Sequence, residues 1–190
     1  LEAYSYQMNR GAMIRATEGT VPDRLPPRAA IRREAPLELP HILLLLDDRD
    51  RQVLEPLYGE RERFEKLYDF ELNMGGGHVT GYELTCTGKI DEYMRGLEER
   101  AGEGGIAFAV GDGNHSLATA KACWEEIKET LTEEEKAAHP ARFCLCEIVS
   151  VQDPALVFEP IHRVVFDSHG DFVNYAADRL KGAGSCVMIS

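Results

Sequence analysis

The chain has 190 residues, enough for one domain or for one domain and part of a second. Its 44% hydrophobic and 28% charged residues are ordinary proportions for a globular protein with an apolar core. Because 33 acidic residues outweigh 21 basic ones, the net charge is −12, and we expect no nucleic-acid partner and no membrane partner. The composition does not indicate an oligomeric state.

The absence of targeting signals and the use of cysteine both favour the cytoplasm. The longest apolar run, residues 42–46, is far too short to cross a bilayer, and no secretory signal pattern opens the chain. An odd number of cysteines in a chain of this size predicts reduced thiols; they are Cys86, Cys123, Cys144, Cys146 and Cys186. We therefore expect a cytoplasmic protein.

The two ends of the chain suggest a piece of a longer protein. The sequence begins at Leu1 instead of methionine, and it ends inside residues 185–190, whose apolar pattern predicts a strand. We expect an irregular arginine- and proline-rich segment at residues 1–40 that contributes to the site, and an α/β core at residues 41–166. Residues 167–190 are expected to start a further, truncated helix–strand unit.

The first 40 residues are predicted to be irregular because five prolines interrupt regular structure; these are Pro22, Pro26, Pro27, Pro36 and Pro40. The first 35 positions also carry six arginines against four acidic residues; the arginines are Arg10, Arg15, Arg24, Arg28, Arg32 and Arg33. In so acidic a chain, this excess indicates a local anion site. The alternative is that these arginines pair with the acidic body.

The next elements follow from hydrophobic periodicity. Residues 42–46 are predicted to form a fully buried strand that ends at an acidic pair. Residues 58–72 show a partial apolar face and are predicted to be a helix. Residues 79–86 alternate and predict a strand, and the apolar positions of residues 90–101 have helical spacing.

The middle of the chain gives the clearest pattern. Residues 106–110 are apolar on both faces and predict a central strand. A helix is predicted to begin near Asn114, because apolar residues follow at steps of three and four; they are Leu117, Ala120, Trp124, Ile127 and Leu131. Thr132 and Glu135 have the spacing of a capping box that starts a further short helix.

The last elements complete the predicted fold class. Residues 143–149 predict a strand, and Ser168 with Asp171 is expected to cap a helix that ends at Gly182. The alternation of strands and helices predicts an α/β or α+β fold with a mixed sheet flanked by helices.

Two other groups of reactive side chains have plainer interpretations. Asp47 and Asp48 follow a buried strand, where metal-binding carboxylates often lie, but a strand-ending turn is the favoured interpretation. Cys144 and Cys146 share one face of a predicted strand. No second cysteine pair stands at zinc spacing, so the sequence predicts two buried thiols.

The segment with the most chemical content is the loop at residues 111–116, Gly-Asp-Gly-Asn-His-Ser. A buried strand that passes through glycines into a helix leaves unpaired backbone N–H groups at the positive end of the helix dipole, which is an anion site. Gly111 and Gly113 would allow close approach of a ligand, and Asp112 could cap the helix, hold a metal ion or orient His115. His115 could donate to a phosphate or move a proton.

The same pattern has a simpler interpretation, in which a capped helix follows a tight turn and His115 is a polar surface residue. The loop is not a phosphate-loop NTPase motif, because the Gly-Lys-Ser/Thr ending is missing. It also lacks the third glycine of the dinucleotide-binding fingerprint.

Three stretches, taken in order, resemble one family. Residues 111–115 with the following Ala118-Thr119-Ala120 helix resemble the Asp-Gly-His-His-Arg loop and Glu-Thr-Ala helix of the domain-of-unknown-function 1015 family. Residues 160–163, Pro-Ile-His-Arg, resemble its Pro-Thr-His-Arg stretch, and residues 14–18 are similar to its His-Glu-x-Thr region. The three matches span residues 10–166, and the loop is their most specific part.

The resemblance implies a distant relation to the ParB/sulfiredoxin-like fold, in which a comparable loop holds nucleotide phosphates and some members are free-serine kinases. It implies that Gly111, Gly113, Asn114, His115 and Ser116 bind phosphate, with Arg15, His162 and Arg163 lining the site. It further implies Glu18, Asp112 and His115 as catalytic residues, with Glu18 the acid or base. Mg²⁺ with ATP or ADP would be the cofactor, and Asp112 would be the metal ligand.

The loop departs from the family pattern at two positions. Asn114 stands where the family usually has His, and Ser116 stands where it usually has Arg. The missing Arg matters because its planar guanidinium is a natural clamp for phosphate. Either another arginine replaces it, for which Arg15, Arg24, Arg28 and Arg163 are available, or this branch has lost phosphoryl chemistry.

Two functions therefore stay open. The first is a phosphate- or nucleotide-binding protein that acts as a nucleotide-dependent small-molecule kinase. The alternative is a non-catalytic nucleotide- or metabolite-sensing domain. A nucleic-acid-associated role, by analogy with ParB, is disfavoured by the net charge of −12.

Overall fold

The computed structural model describes residues 1–6, 12–39, 41–85, 87–101 and 105–157, together with residues 171, 174, 175, 178 and 179. The chain divides into two compact units, Leu1–Leu156 and Val157–Ser190. The boundary expected at residue 166 falls outside the described residues.

Five strands form the main sheet: β1 (Tyr4–Ser5), β2 (Ile14–Ala16), β3 (Leu43–Leu46), β6 (Phe108–Asp112) and β7 (Glu147–Ser150), in the order β1-β2-β6-β3-β7. β1, β2 and β6 are parallel, β3 is antiparallel to β6, and β3 is parallel to β7. A separate two-stranded antiparallel ribbon consists of β4 (Glu65–Glu71) and β5 (His78–Glu83). The predicted mixed sheet is confirmed, while the ParB/sulfiredoxin-like core stays a prediction.

Up to residue 157, the described part of the chain has five α-helices beside the sheet: α1 (Leu25–Glu34), α2 (Leu54–Gly59), α3 (Gly88–Ala101), α4 (Asn114–Lys128) and α5 (Glu133–Ala138). The helices predicted from residue 90 and from Asn114 are confirmed. The capping box of α5 is also confirmed, because Glu135 N donates to Thr132 Oγ1 at 3.3 Å and Thr132 N donates to Glu135 Oε2 at 2.8 Å. None of the helices in the described part of the chain has the length and apolar character that crossing a membrane requires.

The core lies between the sheet and α4. Val110 of β6 is 1% exposed and packs with Ile42, Leu44 and Tyr4 against Leu117 of α4. Full burial of each such aliphatic side chain contributes roughly 1.5–3 kcal/mol. This packing fixes the start of α4 against the end of β6, and α1 packs against the outer side of α4.

The helix predicted for residues 58–72 is wrong, because residues 65–71 form β4. The spacing of Phe64, Leu67 and Tyr68 imitates one side of a helix, yet β4 pairs along its length with β5 across a glycine turn. The ring of Tyr68 lies directly over Gly81, a cross-strand contact that sequence spacing does not reveal.

The prediction that residues 1–40 are irregular is also wrong, since they contain β1, β2 and the ten-residue helix α1. Pro26 and Pro27 are compatible with α1 because both lie in its first turn, where backbone N–H groups have no partner within the helix. The short strands of this segment exist because they pair with one another and with β6.

Four predicted elements are shifted or lie partly or wholly beyond the described residues. β6 ends at Asp112 instead of residue 110, and β7 begins at Glu147 instead of residue 143. Asp171 caps as predicted, because its Oδ1 accepts from Asn174 N at 3.1 Å. Ser168, Gly182 and the strand predicted at residues 185–190 fall outside the described residues.

Candidate functional site

A single glycine connects β6 to α4. Gly113 has φ 77° and ψ 21°, the left-handed conformation that glycine adopts without strain. A Cβ at this position would lie 2.4 Å from His41 O and 2.9 Å from Ile42 Cα. The residues just before β3 can therefore pack this closely against the turn only because position 113 is a glycine.

Gly111, two residues earlier in β6, makes a similar contact with β3. A Cβ on Gly111 would lie 3.0 Å from Leu45 Cγ, so the side chain of β3 occupies the space beside this glycine. Packing therefore requires glycine at position 113, whereas a side chain at position 111 would need the Leu45 side chain to move by a few tenths of an ångström. The sequence had suggested ligand access as their reason, and close approach of a ligand to them stays a prediction.

The first turn of α4 leaves backbone donors unpaired. Gly113 supplies no side-chain cap, and within the described ranges no acceptor is found for the N–H groups of Asn114, His115 and Ser116. The first N–H that is bonded within the helix belongs to Leu117, which donates to Gly113 O at 2.9 Å. Three amides therefore point out of the positive end of a 15-residue helix, as expected of an anion site.

The side chain of Asp112 lies at the start of α4, next to the unpaired amides. Its Oδ1 accepts from Gly113 N at 2.7 Å, which satisfies the amide that precedes the three unpaired ones. The side chain is exposed at the end of β6. Among the residues that the structure describes, no group of three or more His, Cys, Asp and Glu side chains is arranged to hold a metal ion.

The segment after β2 crosses the start of α4. Thr17 Oγ1 donates to Val110 O at 2.7 Å, and Val21 N donates to His115 Nε2 at 3.2 Å. Glu18 lies between these two contacts with an exposed side chain. The structure therefore brings Glu18, Asp112 and His115 to the same edge of the sheet.

The backbone carbonyl of His115 forms a hydrogen bond in addition to the one formed by its ring. Its carbonyl oxygen accepts from Thr119 Oγ1 at 2.7 Å, one turn along α4. Because Nε2 is the acceptor for Val21 N, the ring proton of a neutral His115 belongs on Nδ1. In this arrangement His115 accepts with one ring nitrogen and can donate with the other.

Asn114, where the family usually has His, is buried with only 4% exposure. Its side-chain Nδ2 has no hydrogen-bond partner within the described ranges, and its carbonyl oxygen accepts from the Tyr4 hydroxyl at 3.4 Å. Burial raises the pKa of Tyr4 to about 12. A buried amide without an acceptor costs roughly 1–3 kcal/mol, and a ligand oxygen would offset that cost.

An open cleft of about 330 Å³ lies between α1 and α4, and its lining includes Ser116, one of the three residues with unpaired amides. Ser116 and Thr119 of α4 line one side, and Arg28 and Arg32 of α1 line the other. Arg32 forms an ion pair with Glu38. Arg28 donates to Arg24 O at 3.2 Å, and it has no carboxylate partner in the described part of the chain. Arg28 thus shares a cleft with Ser116, where the family usually has Arg.

Two hydrogen bonds of Arg15 lie away from the loop, and its predicted place in the site stays a prediction. Its Nε donates to Ala12 O at 2.7 Å, and its Nη2 donates to Gly105 O at 3.3 Å. Both carbonyls precede their strands, at the opposite edge of the sheet from Gly113. The side chain runs back along β2, a direction that its proximity to Glu18 in sequence could not indicate.

The acidic pair after β3 is a strand-ending turn, as favoured from the sequence. Asp48 is 1% exposed and accepts from Gln52 N at 2.9 Å, Val53 N at 3.0 Å and the Tyr93 hydroxyl at 3.2 Å. Its carboxylate therefore holds the start of α2 and a side chain of α3. His162 and Arg163, the other predicted site residues, lie outside the described residues.

Comparison with known proteins gives a family without an assigned activity. The model of the family described as "Protein of unknown function (DUF1015)" matches residues 1–181. No curated protein and no solved structure matches the chain.

Proposed function

We propose that this chain, which belongs to the DUF1015 family, binds a phosphate-bearing small molecule or nucleotide at the start of α4. The observation that carries the proposal is the set of three unpaired amides at Asn114, His115 and Ser116, the last of which lines a cleft that also contains Arg28. Phosphate oxygens would accept from these amides, and the guanidinium of Arg28 would supply the positive charge.

The physical chemistry favours an anion at this point even in an acidic chain. A hydrogen bond to a charged partner contributes roughly 1.5–3 kcal/mol, more than one between neutral groups. The helix dipole adds about half a positive charge at the first turn of α4. Arg28 can offer two parallel N–H donors to one phosphate, which takes over the role that an Arg at Ser116 would have in the family pattern.

Beyond binding, we propose a nucleotide-dependent small-molecule kinase. Glu18 would accept the proton of the acceptor hydroxyl as that oxygen attacks the terminal phosphorus of the nucleotide. The nucleotide would leave one phosphoryl group shorter and keep the bridging oxygen. The proposal is supported by the position of Glu18 between the Thr17 and Val21 contacts, on the sheet edge that also carries Asp112. His162 and Arg163 enter it only through the family resemblance.

Mg²⁺ with ATP or ADP would be the cofactor of such a kinase. The donor set is compatible with Mg²⁺, since Mg²⁺ in such sites needs only one or two carboxylates besides substrate phosphates. Asp112 uses Oδ1 for Gly113 N, while Oδ2 has no protein donor in the described part of the chain. Asp112 would hold the ion, which would neutralise charge that develops on the transferred phosphoryl group.

The alternative function is a nucleotide- or metabolite-sensing domain without turnover. Ser116 favours it, because a hydroxyl in place of the family Arg removes a fixed charge from the position nearest the amides. A sensing domain binds ligand and releases it unchanged, whereas a kinase consumes nucleotide once an acceptor hydroxyl is supplied. Phosphate release or transfer from ATP, screened against small hydroxyl compounds, separates the two functions.

The binding proposal is tested by titrating ADP and inorganic phosphate, with and without Mg²⁺, into the wild type, Ser116→Glu and Ser116→Gln. Glu in the first helical turn favours α4 but places a negative charge where the ligand phosphate would bind. Ser116→Glu should therefore keep its melting temperature and weaken binding about tenfold or more, a loss of about 1.4 kcal/mol. Ser116→Gln is the neutral control of equal size, and equal affinity of the two variants would refute the site.

A further inference from the structure

The cleft of about 330 Å³ between α1 and α4 has a third wall, formed by residues 37–39. This return segment follows α1 and leads back toward His41, whose carbonyl oxygen lies against Gly113 at the start of α4. Arg32 of α1 forms an ion pair with Glu38, which joins the return segment to the helix. Three parts of the chain therefore enclose the cleft: α1, the return segment and the first turns of α4.

The direction of the two helices places the polar groups of the cleft. Leu25 at the start of α1 belongs to the core cluster that contains Leu117 of α4, and Arg33 near the end of α1 donates to Glu126 Oε1 at 2.8 Å. The helices therefore run side by side in the same direction. Arg28, which lies between these two contacts, is level with the first two turns of α4, from which two hydroxyl-bearing residues line the cleft.

Most of the remaining lining is aliphatic. Ile31 of α1 is 74% exposed, and Leu37 and Leu39 of the return segment are 71% and 73% exposed. Ala35 adds a methyl group just after the last turn of α1. Large apolar side chains scattered singly on a surface need no explanation, but three that line one cleft form a patch of the kind that marks a binding site.

One uncompensated positive charge lies in the cleft. The charge of Arg32 is balanced by Glu38, whereas Arg28 has no carboxylate partner in the described part of the chain. No other charged side chain is among the described lining residues. The cleft therefore favours a ligand with a negative charge near Arg28 and an uncharged part against the aliphatic walls.

The same lining indicates the chemistry of that uncharged part. Among the described lining residues, none is aromatic and none is Asn or Gln. Proteins commonly hold nucleobases by stacking them on aromatic rings and by hydrogen bonds to the base edges. The aliphatic walls offer neither, but they remove hydrocarbon from water. A hydrocarbon chain fits these walls better than a nucleobase does.

We propose that the cleft selects phosphate monoesters with an aliphatic body, whose hydrocarbon contacts Ile31, Leu37 and Leu39. This inference rests on the proposed phosphate site and names the class of its ligand. The phosphate oxygens accept from the Ser116 amide and from Arg28, while the hydrocarbon displaces water from the three aliphatic side chains. In a kinase such an ester is the phosphorylated product, and in a sensing domain it is the signal.

The test measures the affinities of inorganic phosphate, methyl phosphate and n-hexyl phosphate for the full chain by calorimetry, while ¹⁵N–¹H NMR follows the amides of residues 114–116. Full burial of one methylene raises an affinity about fourfold, and half-burial in an open cleft raises it about twofold. Over the longer chain of hexyl phosphate, this gives roughly thirtyfold tighter binding than that of methyl phosphate. Adenosine monophosphate should bind less tightly than hexyl phosphate.

Ile31→Ser and Leu37→Ser separate the two parts of the ligand. Both side chains are exposed, so the substitutions should leave the melting temperature nearly unchanged. Each should weaken the binding of hexyl phosphate about threefold or more, whereas inorganic phosphate has no body to contact these walls and should bind as before. Leu145→Ser is the matched control, since Leu145 is 60% exposed and is not among the described lining residues.

The outcomes distinguish this inference from the phosphate site on which it rests. Equal affinities of methyl and hexyl phosphate, with the amides of residues 114–116 shifting, would overturn the aliphatic ligand and leave the phosphate site intact. Tighter binding of adenosine monophosphate than of hexyl phosphate would do the same, as would a chain-length effect that Ile31→Ser and Leu37→Ser do not reduce. Amides that stay unmoved with every phosphate compound would remove the phosphate site and this inference together.

Discussion

The backbone N–H of Val21 donates to Nε2 of His115 at 3.2 Å, a contact between residues 94 positions apart that ties the segment after β2 to the first turn of α4. This segment carries Glu18, and the contact is exposed to solvent. The bond therefore links the position of the proposed base to the helix that would hold the phosphate.

Removing the His115 ring should loosen that segment without unfolding the core. His115→Ala leaves the Val21 amide without an acceptor, and a net loss of about 1 kcal/mol is expected for one such bond. Amide hydrogen exchange at Val21 should accelerate about fivefold or more, while exchange at Val110 in β6 stays unchanged. His115→Gln, which retains a side-chain acceptor, is the matched control, and equal exchange at Val21 in all three proteins would show that the bond does not form.

Two of the glycines with positive φ, Gly75 and Gly113, have different surroundings and so separate the cost of backbone strain from the cost of steric collision. Gly75 has φ 71° and no atom within 4 Å of the place that an added methyl group would take, so Gly75→Ala should cost only the left-handed strain of about 1–2 kcal/mol. Gly113 has φ 77°, and a methyl group there would also lie 2.4 Å from His41 O. Urea unfolding should show Gly113→Ala to be clearly the more destabilised, by at least about 2 kcal/mol beyond Gly75→Ala. Equal losses would mean that β3 does not pack against the turn.

The ribbon of β4 and β5 should depend on pH through His78. Hydrogen bonds to Glu71 and to Asp69 raise the pKa of His78 above its usual value. Since the folded pKa is raised, the stabilisation is fully present below the ordinary histidine pKa of about 6.5 and is lost as the pH rises through the folded pKa. An NMR titration should give a pKa above 6.5 for His78, which falls in Glu71→Gln but not in the control Glu83→Gln. An unshifted pKa in the wild type would contradict the contacts.

The elements predicted well from sequence are those that local patterns determine. β3, β6 and α4 follow from uninterrupted apolar runs and a regular step of three and four, and the capping box of α5 follows from Thr132 and Glu135 alone. The elements that were missed depend on partners distant in sequence. β4 exists because it pairs with β5, and β1 and β2 exist because they extend the sheet beside β6.

The site shows the same division. Residues 112–116 are contiguous, so the unpaired amides at the helix start could be predicted, and Glu18 reaches the same sheet edge. The direction of the Arg15 side chain could not be predicted, because its acceptors, Ala12 and Gly105, depend on the pairing of β2 with β6. Arg28 was only one of four possible replacement arginines, and its place opposite Ser116 follows from the packing of α1 against α4.

The central claim is that the amides at the start of α4 bind phosphate, and ¹⁵N–¹H NMR of the full chain during titration with inorganic phosphate and then ADP tests it most directly. The account predicts saturable downfield proton shifts of the Asn114, His115 and Ser116 amides, with the Leu117 amide, already bonded to Gly113 O, moving little. Shifts that saturate elsewhere in the protein while these three amides stay unmoved would contradict it.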